Sequence, residues 1–288
     1  MKKAYLFAGV SILLWSSVAT ITKLLLGVMD SYQVLCVSSL FAFLALLGIN
    51  ICTGNTKKLR TFHFKDILII VLIGLPGTLL YNVFLYLGTD KLLASQAFII
   101  NYLWPIMSVV FACVLLKEKM STRKSIAFAL SFLGVITVAG NDLMNFQSET
   151  AFGMALCVLA AVSYGAFTAL NQKWHYDKPI SVMLASFSTF VLTLVINLFR
   201  GTQLQLDAFQ VLGLGWNGIF VMAVATTTWA IALDSGKTAV ISNLAYITPF
   251  LSLVWTALFL HEPISIWSVA GLVIIILGIL IQLKDNKK

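Results

Sequence analysis

Asn101-Tyr102-Leu103-Trp104-Pro105 stands in the middle of an apolar run from about 94 to 116, and its reading decides the fold. Proline has no backbone N–H, and its ring presses on the carbonyl four residues back, here that of Asn101. In lipid a released carbonyl is costly, so such a break is tolerated where other protein groups or a water-filled cavity meet it. The stretch has an echo in Ala245-Tyr246-Ile247-Thr248-Pro249, inside the run 237–260. Tyr102 and Tyr246 stand 144 positions apart, as do Pro105 and Pro249, Glu118 and Glu262, Ser121 and Ser265, and Gly134 and Gly278. Half of 288 residues is 144, so the spacing predicts one unit written twice. A lone proline reads as a packing kink. A matched pair of interrupted helices, one in each half, is where transporters build their binding sites.

The rest of the composition agrees. The chain is 60% hydrophobic and 10% charged, with a mean hydropathy of +0.96, against about 25% charged residues in soluble domains. A helix needs about 20 apolar residues to cross a bilayer. On that scale there are ten runs: 4–26, 31–53, 66–88, 92–116, 122–140, 151–173, 180–199, 208–233, 238–260 and 264–283. The expected fold is therefore an all-α integral membrane protein of ten transmembrane helices. It divides into two five-helix repeats, 1–140 and 151–288. Met1-Lys2-Lys3 and the run behind it imitate a signal peptide, but the run is long and no A-x-A site follows, so it reads as a retained first helix.

The net charge of +8 is distributed as a topological signal. With the N-terminus inside, Lys2, Lys3, Lys57, Lys58, Arg60, Lys65, Lys117, Lys119, Arg123 and Lys124 all fall on the inner side, and Lys173, Lys178, Lys237, Lys284, Lys287 and Lys288 join them. Only Lys23, Lys91 and Arg200 point outward, so both termini are expected in the cytoplasm of a bacterial-type cell membrane. Five helices per repeat is an odd number, so the second copy enters the membrane inverted, the architecture of an alternating-access carrier. Bases are not interleaved with aromatics, so nucleic acid is not an expected partner. The partners are a small-molecule substrate and the bilayer, with the chain a monomer or homodimer.

Cys36, Cys52, Cys113 and Cys157, and His63, His175 and His261, are scattered, so no metal, cofactor or disulfide framework is expected. Nor is there a Ser/His/Asp set or a nucleotide-binding loop, and the chain does not read as an enzyme. The acidic residues lie at run ends, where water is expected to reach them. Without a carboxylate at mid-depth, flux down the substrate gradient is expected rather than proton coupling. Gly74-Leu75-Pro76-Gly77 reads equally as hinge or close packing, and the recurrent glycines as helix contacts.

What remains at mid-depth is aromatic and neutral. Phe98, Asn101, Tyr102 and Pro105 fall at helical spacing, matched by Ser242, Ala245, Tyr246 and Pro249. Trp15-Ser16-Ser17 comes from the first run, Tyr81-Asn82 from the third, Ser163-Tyr164-Gly165 from the sixth and Thr226-Thr227-Thr228-Trp229 from the eighth. The expected lining is Trp15, Tyr81, Asn82, Asn101, Tyr102, Trp104, Tyr164, Trp229 and Tyr246, with Pro105 and Pro249 as the helix breaks. Aromatic faces supply contact area, while Ser, Thr and Asn meet polar ends without adding charge. Such a lining suits an uncharged or zwitterionic organic solute. Taken singly, each aromatic also reads as packing or lipid contact, and Trp255 is left in that class.

At these residues the chain resembles the drug/metabolite transporter superfamily, in particular its ten-helix EamA-type members. Asn101-Tyr102-Leu103-Trp104-Pro105, Tyr246-Ile247-Thr248-Pro249 and Leu14-Trp15-Ser16 look most like the bacterial aromatic amino acid exporters. The resemblance implies export of amino acids or related metabolites through a central cavity at Trp15, Tyr81, Asn101, Tyr102, Trp104, Tyr164, Trp229, Tyr246 and Pro249. Where those exporters carry an acidic residue beside the tyrosine of the third helix, this chain has Asn82. Competing readings are uptake of a quaternary amine such as choline in an aromatic cage, multidrug or metabolite efflux, and a channel-like or structural membrane protein.

Overall fold

Apolar runs of this length cannot leave backbone polar groups unpaired in lipid, so the chain has to be helical through each of them. The structure, a computed structural model, describes residues 2–117, 119–144, 148–174, 176–235 and 244–283. Among these residues every regular element is a helix. Among the described residues seven stretches are long and apolar enough to cross a membrane: Lys2–Leu26, Ser31–Cys52, Phe64–Lys91, Ala94–Leu115, Ser148–Asn171, Lys178–Phe199 and Ala208–Trp229. The expected run 122–140 forms a helix over Thr122–Met144, and the last two runs contain the shorter apolar helices Thr248–Phe259 and Ile266–Leu283. Residues 238–243 of the ninth run, with Ser242 and Asn243, lie outside the described residues, as does Glu118.

Several runs are interrupted where hydropathy gives no sign of it. The first is two helices, α1 (Lys2–Ser16) and α2 (Val18–Leu26), meeting at Ser17. The second is one helix, α3 (Ser31–Cys52), started by a capping box of Asp30 and Gln33. In the third, α4 (Phe64–Leu75) passes through a π-helical turn, Pro76–Leu80, into α5 (Tyr81–Lys91). In the fourth, α6 (Ala94–Asn101) and α7 (Trp104–Leu115) are joined by a turn. Then follow α8 (Thr122–Met144), α9 (Ser148–Lys173) and α10 (Lys178–Phe199). The eighth run is α11 (Ala208–Gly215), a π segment Trp216–Ala225 and α12 (Thr226–Ser235). α13 (Thr248–Phe259) and α14 (Ile266–Leu283) close the chain.

The helices gather into two compact units, and neither is a sequence half. One takes Met1–Thr78 and Tyr176–Trp255, the other Leu79–His175 and Thr256–Lys288. In the first unit α3 and α10 run antiparallel, tied at both ends by an acid at one helix's start and a base after the other's end. Arg200, following α10, makes a two-pronged pair with Asp30 at the start of α3, 2.6 and 3.0 Å. Lys58, following α3, pairs with Asp177 at the start of α10. Both acids sit at positive helix ends and both bases at negative ones. Close packing, rather than a hinge, explains Gly74, because a Cβ there would lie 2.6 Å from that of Ala185 on α10. Gly218 is tighter, since its Cβ would come within 2.4 Å of the Ser38 carbonyl oxygen and 2.6 Å of the Phe41 Cβ on α3.

In the second unit α9 packs on α5 and on α7, and α8 lies along α14. A Cβ on Gly134 would meet the Gly271 carbonyl at 2.8 Å and Ile275, and one on Gly278 would meet the Ala127 carbonyl at 2.9 Å and Ser131. One acid departs from expectation. Glu262, placed by its sequence position within reach of water, is buried. Its two carboxylate oxygens accept the Ala94 amide at 2.7 Å and the Ser95 amide at 3.0 Å. The first amides of α6 have no acceptor within their own helix, and an acid from a distant loop fills that place. His261, just before it, adopts a left-handed φ of 54°, and Lys117, 144 residues earlier, does the same at 57°.

The Asp30–Arg200 pair gives a pH-dependent expectation. Burial raises the Asp30 carboxyl, but the Arg200 hydrogen bonds and charge, with the Tyr32 and Gln33 amides, outweigh it and hold the group below its ordinary value. A depressed carboxylate stabilises the fold above its unfolded pKa, and that contribution is lost as pH falls through the folded one. The pair is partly exposed, so Asp30→Asn should cost at most about 1 kcal/mol at neutral pH. Melting curves of wild type and variant should therefore draw together only as pH falls below the ordinary carboxylate range, through the lowered folded pKa.

Candidate functional site

Within the second unit the expected site residues come together around the break in the fourth run. Pro105 occupies the first turn of α7, where its missing N–H is harmless. The chain turns at Tyr102 and Leu103, the Tyr102 amide bonding back to Phe98 and Ile99 carbonyls at 3.2 and 3.0 Å. The helical face expected to run from Phe98 through Pro105 is therefore not continuous. Asn101 ends one helix, Trp104 begins the next, and Tyr102 is half-buried in the turn. The cause is local, since a proline in a helix interior clashes with the preceding turn, and the chain avoids this by starting a new helix.

Asn101 donates from Nδ2 to the Tyr81 hydroxyl at 3.0 Å. Tyr81 opens α5 directly after the π turn, and its ring lies 4.8 Å from that of Tyr164 on α9. The Trp104 ring meets Tyr164 edge-on at 5.1 Å, and Phe167 adds a further face at 5.6 Å. Asn101 is only 4% exposed, and its Oδ1 has no hydrogen-bond partner among the described residues. Asn82 is buried too, but about 100° round the helix from Tyr81. Phe167 went unread in the sequence, although its place three residues after Tyr164 sets it on the same helix face.

The first unit holds Trp15, Trp216, Trp229 and Trp255. Trp15 and Trp229 pack with ring centroids 5.3 Å apart. Next to them Ser11 shares a hydrogen bond with Thr228 at 2.8 Å and donates to the Ala225 carbonyl at 2.9 Å, bracing α1 against α12. The two serines at the α1–α2 break each give their hydrogen to a carbonyl of the preceding turn, Ser16 to Leu13 and Ser17 to Leu14. Each then accepts an indole N–H, Ser16 from Trp255 and Ser17 from Trp216, both at 2.9 Å. Trp255 is thus an anchored hydrogen-bond donor rather than lipid or packing surface alone. Tyr246 falls in the turn Ala245–Ile247, with its side chain outside the described set, and Pro249 is buried in α13.

A family model described as the EamA-like transporter family matches the chain twice, over residues 2–140 and 151–283. An uncharacterized transporter of Clostridium kluyveri is 26% identical, the alignment covering 100% of this chain and 95% of the relative. Another from Archaeoglobus fulgidus is 23% identical over 86% of this chain and 85% of its own length. A solved crystal structure shares the fold with a TM-score of 0.68 at 17% identity, covering 98% of this chain and 96% of that one.

Proposed function

We propose, since this chain belongs to the EamA-like transporter family, that it is a ten-helix carrier exporting amino acids or related small metabolites by alternating access. It lies in the cytoplasmic membrane with both termini inside, and it binds its substrate through the positions that the second unit gathers, Tyr81, Asn101, Trp104 and Tyr164, with Tyr102 in the adjoining turn. The observation that carries this reading is the group Tyr81, Asn101, Trp104 and Tyr164, neutral, aromatic and gathered at a helix break. Such an assembly offers ring faces and hydrogen bonds without net charge, which suits a zwitterion or neutral solute.

An inverted repeat is supported by reciprocal contacts. Gly74 closes on Ala185 and Gly218 on Phe41, and the shift of 144 exchanges the two pairs. Gly134 with Ile275 and Gly278 with Ser131 exchange in the same way. The π turn Pro76–Leu80, shifted by 144, falls inside the π segment Trp216–Ala225, and the left-handed Lys117 falls on His261. Cysteines placed next to Lys58 and Asn145 are expected to label from opposite sides of the membrane, and labelling of both from one side refutes the topology.

Counterflow in proteoliposomes, comparing tryptophan, phenylalanine, threonine and choline, tests the transport reading. Saturable uptake of an amino acid is expected. Tyr164→Ala removes the ring that three others touch and should lower transport by roughly tenfold or more, at about 1.4 kcal/mol of lost binding per tenfold. Flux that is linear in concentration for every solute would instead favour a channel.

A further inference from the structure

The Asn101–Tyr81 pair carries an unmet half. Asn101 is held by one hydrogen bond, so one end of its amide is satisfied and the other, Oδ1, is buried without a partner. A carboxamide left in this state inside a membrane is costly unless something else meets it. The tyrosine matters equally. Its oxygen accepts from Asn101, so its own hydrogen is left to give, and among the described residues it has no other partner. Side by side, the pair therefore presents a buried acceptor next to a hydroxyl donor, with the second amide hydrogen beside them. Turning the amide over changes which residue supplies which, but still leaves an acceptor beside a donor.

We infer that the substrate answers this pair with an N–H donor adjacent to an oxygen acceptor, as in a primary-amine α-amino acid or a primary carboxamide, and that Asn101 and Tyr81 reject solutes whose nitrogen bears no hydrogen. The inference rests on the carrier reading and narrows its substrate class. It sets aside the quaternary-amine alternative, because a trimethylated nitrogen satisfies aromatic faces but leaves the buried acceptor bare. The surrounding rings place the apolar part. Tyr164 lies against Tyr81, and Trp104 lies against Tyr164, so a solute bonded at the amide meets an aromatic wall. Both oxygens belong to one compact unit, and the amide stands at the last residue of α6, so movement of the adjoining turn at Tyr102 and Leu103 is the local change that would uncover it. A site built to bond a hydrogen discriminates strongly against an analogue lacking it, because the buried group is then left unpaired.

Two probes differ only at nitrogen: phenylalanine and its N,N,N-trimethyl betaine. A third, phenylacetamide, keeps N–H and carbonyl without charge. Competition and uptake are measured with the full-length chain in proteoliposomes, for wild type, Asn101→Leu, which keeps the volume, and Tyr81→Phe, which keeps the ring. Wild type is expected to favour phenylalanine over the betaine by about tenfold or more. Both variants should reduce that preference toward unity while still taking up the betaine, and that residual uptake also reports that they fold. Equal handling of phenylalanine and betaine by wild type overturns the inference and leaves the carrier standing. So does a preference that persists undiminished in both variants, because the discrimination then arises elsewhere. If neither N–H probe competes while betaine uptake saturates, the substrate class is wrong. If no probe shows saturable uptake, the inference and the carrier reading fail together.

Discussion

Glu262→Ala is expected to be among the most damaging single substitutions in the chain. It strands the amides of Ala94 and Ser95 in a buried corner, where the carboxylate now meets both. An unmet buried donor costs about 1–3 kcal/mol, so the loss should reach roughly 2–5 kcal/mol, part of it from the vanished charge at the helix start. Glu262→Gln retains one accepting oxygen but turns an N–H₂ toward a backbone N–H, and should lose about half as much. Glu149→Ala, which breaks a pair between Lys91 and a side chain that is 75% exposed, should leave stability nearly unchanged. Thermal unfolding in detergent ranks the three, and a Glu262→Ala protein as stable as the Glu149 variant would refute the capping role. Because α6 ends at Asn101, loosening its start should also weaken substrate binding in the Gln variant, more than its stability loss alone accounts for.

Gly218 is the second critical position. A methyl there meets the Ser38 carbonyl and the α3 backbone rather than a side chain able to swing aside. Gly218→Ala therefore forces α3 away from the π segment, at about 1–3 kcal/mol for overpacking. For a chain of this size that amounts to roughly 2–6 °C in melting temperature. Gly218→Leu should prevent recovery of monodisperse protein. Gly9→Ala, with nothing within 4 Å of its Cβ, should be neutral or slightly stabilising. Equal melting temperatures for Gly218→Ala and Gly9→Ala would mean that the close approach does not persist in the membrane.

How much of this could be read from the sequence follows from the range of each interaction. Seven of the expected spans were legible because length and hydropathy are local quantities. The break at Trp104-Pro105 was legible because proline has a fixed covalent effect, and Tyr81, Asn101, Trp104 and Tyr164 do meet around it. The Ser16–Ser17 interruption was not, because serines inside a helix are common, and what marks these is a pair of indoles about 200 and 240 residues away. The burial of Glu262 was illegible for the same reason, its partners lying 167 and 168 positions off in the chain. A helix-end acid is normally a solvated one, and only the fold reveals which amides it serves. The π segments carry no residue code at all beyond a proline in one of them.

Those π segments set the rotational phase of everything after them. An α-helix advances 100° per residue, whereas a π turn takes in more residues per turn, so each carries its continuing helix round by a fixed offset. In the eighth run Trp229 faces Trp15 because ten residues, Trp216–Ala225, are wound wide just before α12. Deleting one residue there would let the segment relax to an ordinary α-helix at little cost in hydrogen bonds or hydropathy. Every side chain from Thr226 onward would keep its neighbours in sequence and turn through about a quarter of a circle. The chain thus carries a frame that one codon can shift, in which the composition of a helix survives a deletion and its direction of address does not.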